Sequence, residues 1–409
     1  MDAVTAAEFL DASYWRALNP RLTVAGAHVP APAAPVSTSA HLFADSIRER
    51  GFSRATARAL WGENVDAARE LCSTLAEGIS TLVAAGFPAS TILMYDETWA
   101  LAEAVHASVV REAGFEGHEL IGDWFVFHVD AMAGGKGWAP HRDRPMTGTA
   151  AAGAAPEGEE DAKIASARAA TIAASFASDG TPAYVTCWLP LTNATPESSC
   201  LYFVPKSNDS GYMQGEPAGA SPLRAVIDTG GDVPGAGAQA IIGLPVPRGS
   251  LLCFSHRSLH WGSTPIRGGL KAGEAAQPPR IALSFALARA EFEPSYLSER
   301  STGAPTTHAA RAGLIAAQAL HYSTQSPLSA NATALFAEVA ITAADAGLFA
   351  DAFERKTRAA AHWALAGTNF SNNKKLAAAG RGAPSAEAVA LLFCARAAAD
   401  EGMPAGDYF

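Results

Sequence analysis

The residues best suited to chemistry lie in "GWAPHRDRP", where His141 and Asp143 stand two positions apart. In a strand, residues i and i+2 point to the same side. An imidazole and a carboxylate at that spacing can therefore grip one cation from one edge. A second imidazole from a distant stretch would complete a facial triad and leave the opposite face open for a bidentate co-substrate and O2. Two histidines and one carboxylate with open positions form the donor set of non-haem iron(II) oxygenases. The distal candidates are His256 and His260, both in "GSLLCFSHRSLHWGSTP". An HxD pair alone is a short, unspecific motif. Its weight comes from standing near the start of a strand-rich region, with the distal histidines and then an arginine following in order. His128, in "DWFVFHVD", reads as an ordinary strand residue.

That arginine heads "PPRIALSFALA". By strand alternation Arg280, Ala282, Ser284 and Ala286 share one face, and Ile281, Leu283, Phe285 and Leu287 the other. The apolar face suits packing against helices, and the face of one arginine and small residues suits a cavity wall. A guanidinium pointing inward needs an anionic partner, because unpaired burial of a charge costs several kcal/mol. A diacid such as 2-oxoglutarate would provide one, held by two parallel hydrogen bonds; the alternative is a salt bridge to a protein carboxylate. Arg142 and Arg144 flank Asp143 and are candidates either for an acidic substrate or for surface salt bridges.

The elements that must hold these residues fall into three stretches. Residues 1–119 begin with a helical signal over Ala6–Leu18 and a Pro/Ala/Ser-rich arm, "HVPAPAAPVSTSAH". Helical spacing follows from His41 to about Ala113, with a second helix over Ser90–Glu112. Residues 120–292 carry short strand candidates: "DWFVFHVD", "AYVTCWLPL", "CLYFVP", "QAIIGLPV", "SLLCFS" and "RIALSFALA". Strands in series without regularly alternating helices predict an antiparallel sandwich or barrel. Insertions interrupt this core at 147–182, low-complexity and then helix-like, and at 207–238, which reads as a long loop. Residues 293–409 are helical again from about Thr306 to Ala399. The expected fold class is thus a mainly-β core with flanking helices (α+β).

The segments "GWAPHRDRP", "CWLPLTNATPESSCLYFVPKSN", "VPRGSLLCFSHRSLHWGSTP" and "PPRIALSFAL", in that order, resemble the phytanoyl-CoA dioxygenase family of Fe(II)/2-oxoglutarate-dependent oxygenases. The resemblance covers about residues 120–290. It implies a double-stranded β-helix (jelly-roll) core packed by N- and C-terminal helices. His141, Asp143 and His260 match the iron ligands, His260 being favoured over His256 because it adjoins the Trp261–Gly262–Ser263 turn. Arg280 matches the arginine that binds 2-oxoglutarate, with Arg267 in "RGGLKAGEAAQ" as its rival. Trp188, in "TCWLP", matches a tryptophan lining the co-substrate pocket. Gly262 or Ser263 would touch the co-substrate, and Ser284 would face it from the arginine's strand. The cofactors implied are Fe(II), 2-oxoglutarate and O2. The reaction implied is oxidation of a small molecule by hydroxylation, desaturation or cyclisation, with release of succinate and CO2. A carboxylate at Asp143 favours oxygen transfer over halogenation. The insertion at 147–182, just past the metal motif, is a candidate lid. Two other classes compete: a cupin-like metal enzyme that does not use 2-oxoglutarate, and a non-catalytic jelly-roll binding protein.

Composition excludes several partners. The net charge is −10, and no cluster of Lys and Arg offers a phosphate-tracking surface, so nucleic acid is not expected. Five cysteines, widely spaced and without a CxxC pair, read as reduced thiols. Acids stand where a signal peptide carries basic residues, and no apolar run reaches membrane-spanning length, so a cytoplasmic location and no membrane partner are expected. Nothing in the chain sets an oligomeric state.

Overall fold

The computed structural model describes residues 4–24, 40–144, 166, 169–215, 221–228, 236–263, 265, 278–301, 306–323 and 327–376. The chain divides into two compact units. One comprises Ala31–Glu77 and Ala100–Pro294, and the other Met1–Pro30, Gly78–Trp99 and Ser295–Phe409.

Among the described residues the first unit holds eight strands: β1 (Phe52–Ala55), β2 (His118–Val129), β3 (Tyr184–Pro190), β4 (Leu201–Phe203), β5 (Ile242–Leu244), β6 (Leu251–Ser255), β7 (His260–Gly262) and β8 (Arg280–Arg289). They form a five-stranded sheet in the order β1-β6-β3-β8-β2 and a three-stranded sheet in the order β5-β4-β7. Every pairing is antiparallel, as the run of short strands predicts. Phe52, Trp188, Leu252, Phe254 and Ala282 from the larger sheet share one apolar cluster with Leu201 and Phe203 from the smaller. All of β3 and all but the last residue of β8 are buried. That explains why "YVTCWLP" and "RIALSFALA" read as continuous apolar runs rather than as half-wet strands. In β8 the face of Ile281, Leu283, Phe285 and Leu287 is fully buried, and Arg280, Ala282 and Ser284 occupy the other.

Two expectations need correction. The stretch from His41 to Ala113 is not wholly helical, because it contains β1. The helix Ala40–Arg50 ends at Gly51, whose φ is 89°, a conformation that glycine reaches without steric cost. A Cβ there would also stand 2.8 Å from Ser258 Oγ. The turn delivers Phe52 against Phe203, ring centroids 4.8 Å apart. The insertion 207–238 is not simply a loop, since it contains the helices Gly211–Gln214 and Pro222–Asp228. The arm at 25–39, Arg267, most of the 147–182 insertion and the stretch 377–399 lie outside the described residues, and the lid reading rests largely on them.

The second unit is helical. His308–His321, Ala330–Asp345 and Asp351–Leu376 pack in succession, with the short helices Ala6–Phe9 and Ala12–Leu18 beside them. Thr307 and Ser329 cap their helices by accepting from backbone N–H groups of the first turn. Phe9 meets Trp15 and Phe336 edge-on at 5.1 and 5.7 Å. Buried Arg311 pairs with buried Asp96 and lies over the Trp99 ring. Among the described residues no helix is long and apolar enough to cross a membrane.

Candidate metal centre

His141 follows the loop after β2, and His260 opens β7. Their backbones form an isolated antiparallel bridge: His141 N donates to His260 O at 3.0 Å and His260 N to His141 O at 3.1 Å. The two rings therefore lie side by side, centroids 4.4 Å apart. Asp143, two residues on, brings Oδ1 to 3.4 Å from His141 Nε2 and 3.6 Å from His260 Nε2. The three ligand atoms lie within 4.8 Å of one another. A single cation can sit among them.

The surroundings fix which ring nitrogens are available. His141 Nδ1 lies 2.7 Å from Ala139 O and His260 Nδ1 lies 3.1 Å from Ser258 O. Each Nδ1–H donates to a carbonyl, so each Nε2 keeps a lone pair for a metal, the outer-shell arrangement typical of histidine ligands. Thr186 donates its hydroxyl to Asp143 Oδ2, leaving Oδ1 toward the histidines. Burial acts to raise the Asp143 carboxyl, but His260, His141 and the Thr186 hydroxyl outweigh it and hold the group well below the usual carboxylate range. Burial, with the neighbouring His141, pushes the His260 imidazole down to about 4. At neutral pH the site thus presents a carboxylate and a neutral imidazole, the protonation states a divalent cation needs.

Arg280 is buried at the start of β8, opposite Val129 of β2. Its guanidinium carbon lies 5.3 Å from the Phe127 ring centroid and 5.7 Å from that of Trp188. Among the described residues Nε and Nη1 have no hydrogen-bond partner, and Nη2 reaches Ser199 Oγ at 3.4 Å. No carboxylate salt-bridges it among the described residues. Burial lowers its pKa to about 10, so it stays charged at neutral pH. An inward, unpaired guanidinium is the complement of an anionic ligand.

The other predicted residues sit as follows. Trp188 and Ser284 are cross-strand partners on β3 and β8, and the buried Trp188 Nε1 has no hydrogen-bond partner among the described residues. Ser263 is engaged by Cys200, its backbone N and its Oγ both donating to that carbonyl at 3.0 and 3.3 Å. Gly262 approaches the Gly137 loop so closely that a Cβ on Gly137 would lie 2.0 Å from Gly262 O. His256 is not in the metal group: it is buried, Nδ1 donates to Tyr184 O at 3.0 Å, and burial pushes its pKa down to about 3. His128 is half-buried on β2. The arginines flanking Asp143 are both held by carboxylates of the protein. Arg142 forms two 2.7 Å hydrogen bonds with Asp209, and Arg144 pairs with Asp123 at 2.7 Å and Glu293 at 3.5 Å.

Sequence reasoning missed Thr186, Ser199 and the aromatic wall of Phe125, Phe127 and Trp138, whose rings pack at 5.3–6.1 Å. Trp138 lies 6.3 Å from the His141 ring. Thr186 had a signal, since it alternates with Trp188 on the inward face of β3. Ser199 had none.

Comparison with known proteins turns on one finding. Residues 100–269 match the family model described as phytanoyl-CoA dioxygenase. The matched stretch contains His141, Asp143 and His260 and ends before Arg280. Among solved structures, the chain is similar to SnoN, a non-haem α-ketoglutarate-dependent epimerase from nogalamycin biosynthesis. That likeness has 17% identity and a TM-score of 0.36, and covers 62% of this chain and 81% of that one. It is similar to the carbocyclase SnoK at 15% identity and a TM-score of 0.38, over 64% and 87% of the chains. It is also similar to a Pseudomonas putida prolyl-4-hydroxylase at 13% identity and a TM-score of 0.32, over 64% and 99%. Scores this low carry no argument about what this chain acts on. No curated protein matches the chain in sequence.

Proposed function

We propose that His141 Nε2, His260 Nε2 and Asp143 Oδ1 hold one Fe(II), that Arg280 anchors the distal carboxylate of 2-oxoglutarate, and that the site oxidises a small molecule. Hydroxylation is the default outcome, and desaturation or ring closure would draw on the same residues. Succinate and CO2 leave as co-products. The observation that carries this reading is the convergence of three ligand atoms within 4.8 Å, from stretches of chain far apart.

With O2 and 2-oxoglutarate, iron supplies the oxidising power; the chain supplies position. The Ala139 and Ser258 carbonyls keep the two imidazoles in the tautomer that ligates, and Thr186 fixes the carboxylate's rotation. Arg280 gives the diacid a charge-assisted grip in a place where Phe127 and Trp188 keep water from competing. Two antiparallel sheets that share one apolar cluster, with every strand but β1 lying at or near residues 120–292, support reading that stretch as a jelly-roll catalytic core.

Aerobic incubation with Fe(II), 2-oxoglutarate and a panel of small molecules tests the reading by succinate release. The wild-type chain is expected to release succinate in step with oxidised product. Asp143→Ala is expected to lose both succinate formation and stoichiometric iron by elemental analysis. A wild-type protein that is fully loaded with iron yet consumes no 2-oxoglutarate with any substrate would point to a cupin-like enzyme instead.

A further inference from the structure

Ser199 is completely buried and has a φ of 78°. It is the one non-glycine residue with positive φ among the described residues. Serine in this region is strained where glycine is not, and such outliers persist where the surrounding structure holds them for a purpose. The side chain shows what glycine would lose. Ser199 Oγ donates its only proton to the carbonyl of Ser263, just past His260 in the β7 turn. A hydroxyl that has spent its proton can only accept from its other neighbour, Arg280 Nη2, 3.4 Å away. Ser263 N donates in turn to the carbonyl of Cys200, so the Ser199–Cys200 and Gly262–Ser263 backbones are held together beside the guanidinium. Among the described residues the bond to Ser199 is the one hydrogen bond that the Arg280 side chain makes, and it leaves Nε and Nη1 for a ligand.

We infer that Ser199 is the positioning residue of the diacid site: its hydroxyl orients Arg280 and ties it to the turn that follows the distal histidine. The inference rests on the proposed role of Arg280. Backbone strain at Ser199 is what the fold tolerates in order to keep a hydroxyl there.

Ser199→Gly separates this role from a structural one, because glycine relieves the backbone while removing the hydroxyl. The measurements are anaerobic titration of the Fe(II)-loaded protein with 2-oxoglutarate, iron binding, thermal unfolding, and turnover as a function of 2-oxoglutarate. Ser199→Gly is expected to weaken 2-oxoglutarate binding about tenfold, the effect of losing one charge-assisted hydrogen bond. KM for 2-oxoglutarate should rise in parallel, with kcat at saturation, iron binding and melting temperature not reduced. Ser199→Ala, which keeps the strain, is expected to show the same loss of affinity. If Ser199→Gly melts higher and binds 2-oxoglutarate as tightly as wild type, the positioning role is wrong while the Arg280 site stands. If the wild-type protein binds iron but no 2-oxoglutarate, the function itself is wrong.

Discussion

Arg280 is a charge that the fold has buried without a carboxylate partner among the described residues, between Phe127 and Trp188. Desolvating a guanidinium in that way is unfavourable until an anion arrives. Arg280→Met should therefore stabilise the ligand-free protein by about 1–4 kcal/mol while abolishing 2-oxoglutarate binding. Urea unfolding with and without the diacid checks both halves, and a destabilised variant would mean that the charge already has a partner. At this scale much was legible. His141 and Asp143 announce themselves by type and spacing, and strand alternation sets Arg280 on the face of small residues that suits a cavity wall. The choice of His260 over His256 needed the resemblance. What residue types do not encode is backbone dihedral, which is why Ser199, in "PESSC", gave no sign of its place.

At the scale of elements, the loop that carries the metal motif is tied down by a buried ion pair. Arg142 and Asp209, both 1% exposed at the side chain, form two hydrogen bonds of 2.7 Å, and Arg142 also donates to Arg257 O. The residue between two proposed metal ligands is thereby fixed to the segment before the helix Gly211–Gln214. Removing one partner of such a pair leaves a buried charge uncompensated. Asp209→Asn should cost about 3–5 kcal/mol, read as a drop in the denaturant midpoint with little change in slope. From sequence, Arg142 read as a greeter of acidic substrates or a surface ion pair, because nothing marks Asp209 as its mate from 67 positions away. The longer strands were legible from β-branched and aromatic content. Strand β1, four residues between helices, is too short to show a period of two, and the helices inside 207–238 are hidden by Gly, Pro and Ser.

For the molecule as a whole, the buried histidines set a pH dependence. Burial lowers His256 to about 3 and, with help from His141, His260 to about 4, from an ordinary value of 6.5. Between those values the unfolded chain binds protons that the folded one refuses, so folding stability rises with pH across that window. The metal-free protein should hold its full stability above about pH 6.5 and lose it progressively as the pH falls toward 4 and then 3. Thermal melts at stepped pH check this. His256→Phe should flatten the lower part of the curve, and an unchanged slope would show that His256 titrates normally. The acidic overall balance was plain from composition, but the split into two units was not. The runs 78–99 and 295–409 group together although the strand-bearing stretch separates them along the chain.

The paired peptide groups of His141 and His260, each donating to the other at 3.0–3.1 Å, have a consequence for how the protein responds to chelators. Two of the three claws are welded by main-chain bonds that do not depend on a cation, so stripping the ion should leave a vacant but shaped socket rather than an unravelled loop. A chelated sample is expected to keep its circular dichroism and a single cooperative melt. The unfolding free energy should fall only by the linkage RT ln(1 + [metal]/Kd), and the midpoint should return when ferrous iron is restored under anaerobic conditions. A chelated protein that loses its β-sheet signal would show instead that the ion is part of the scaffold.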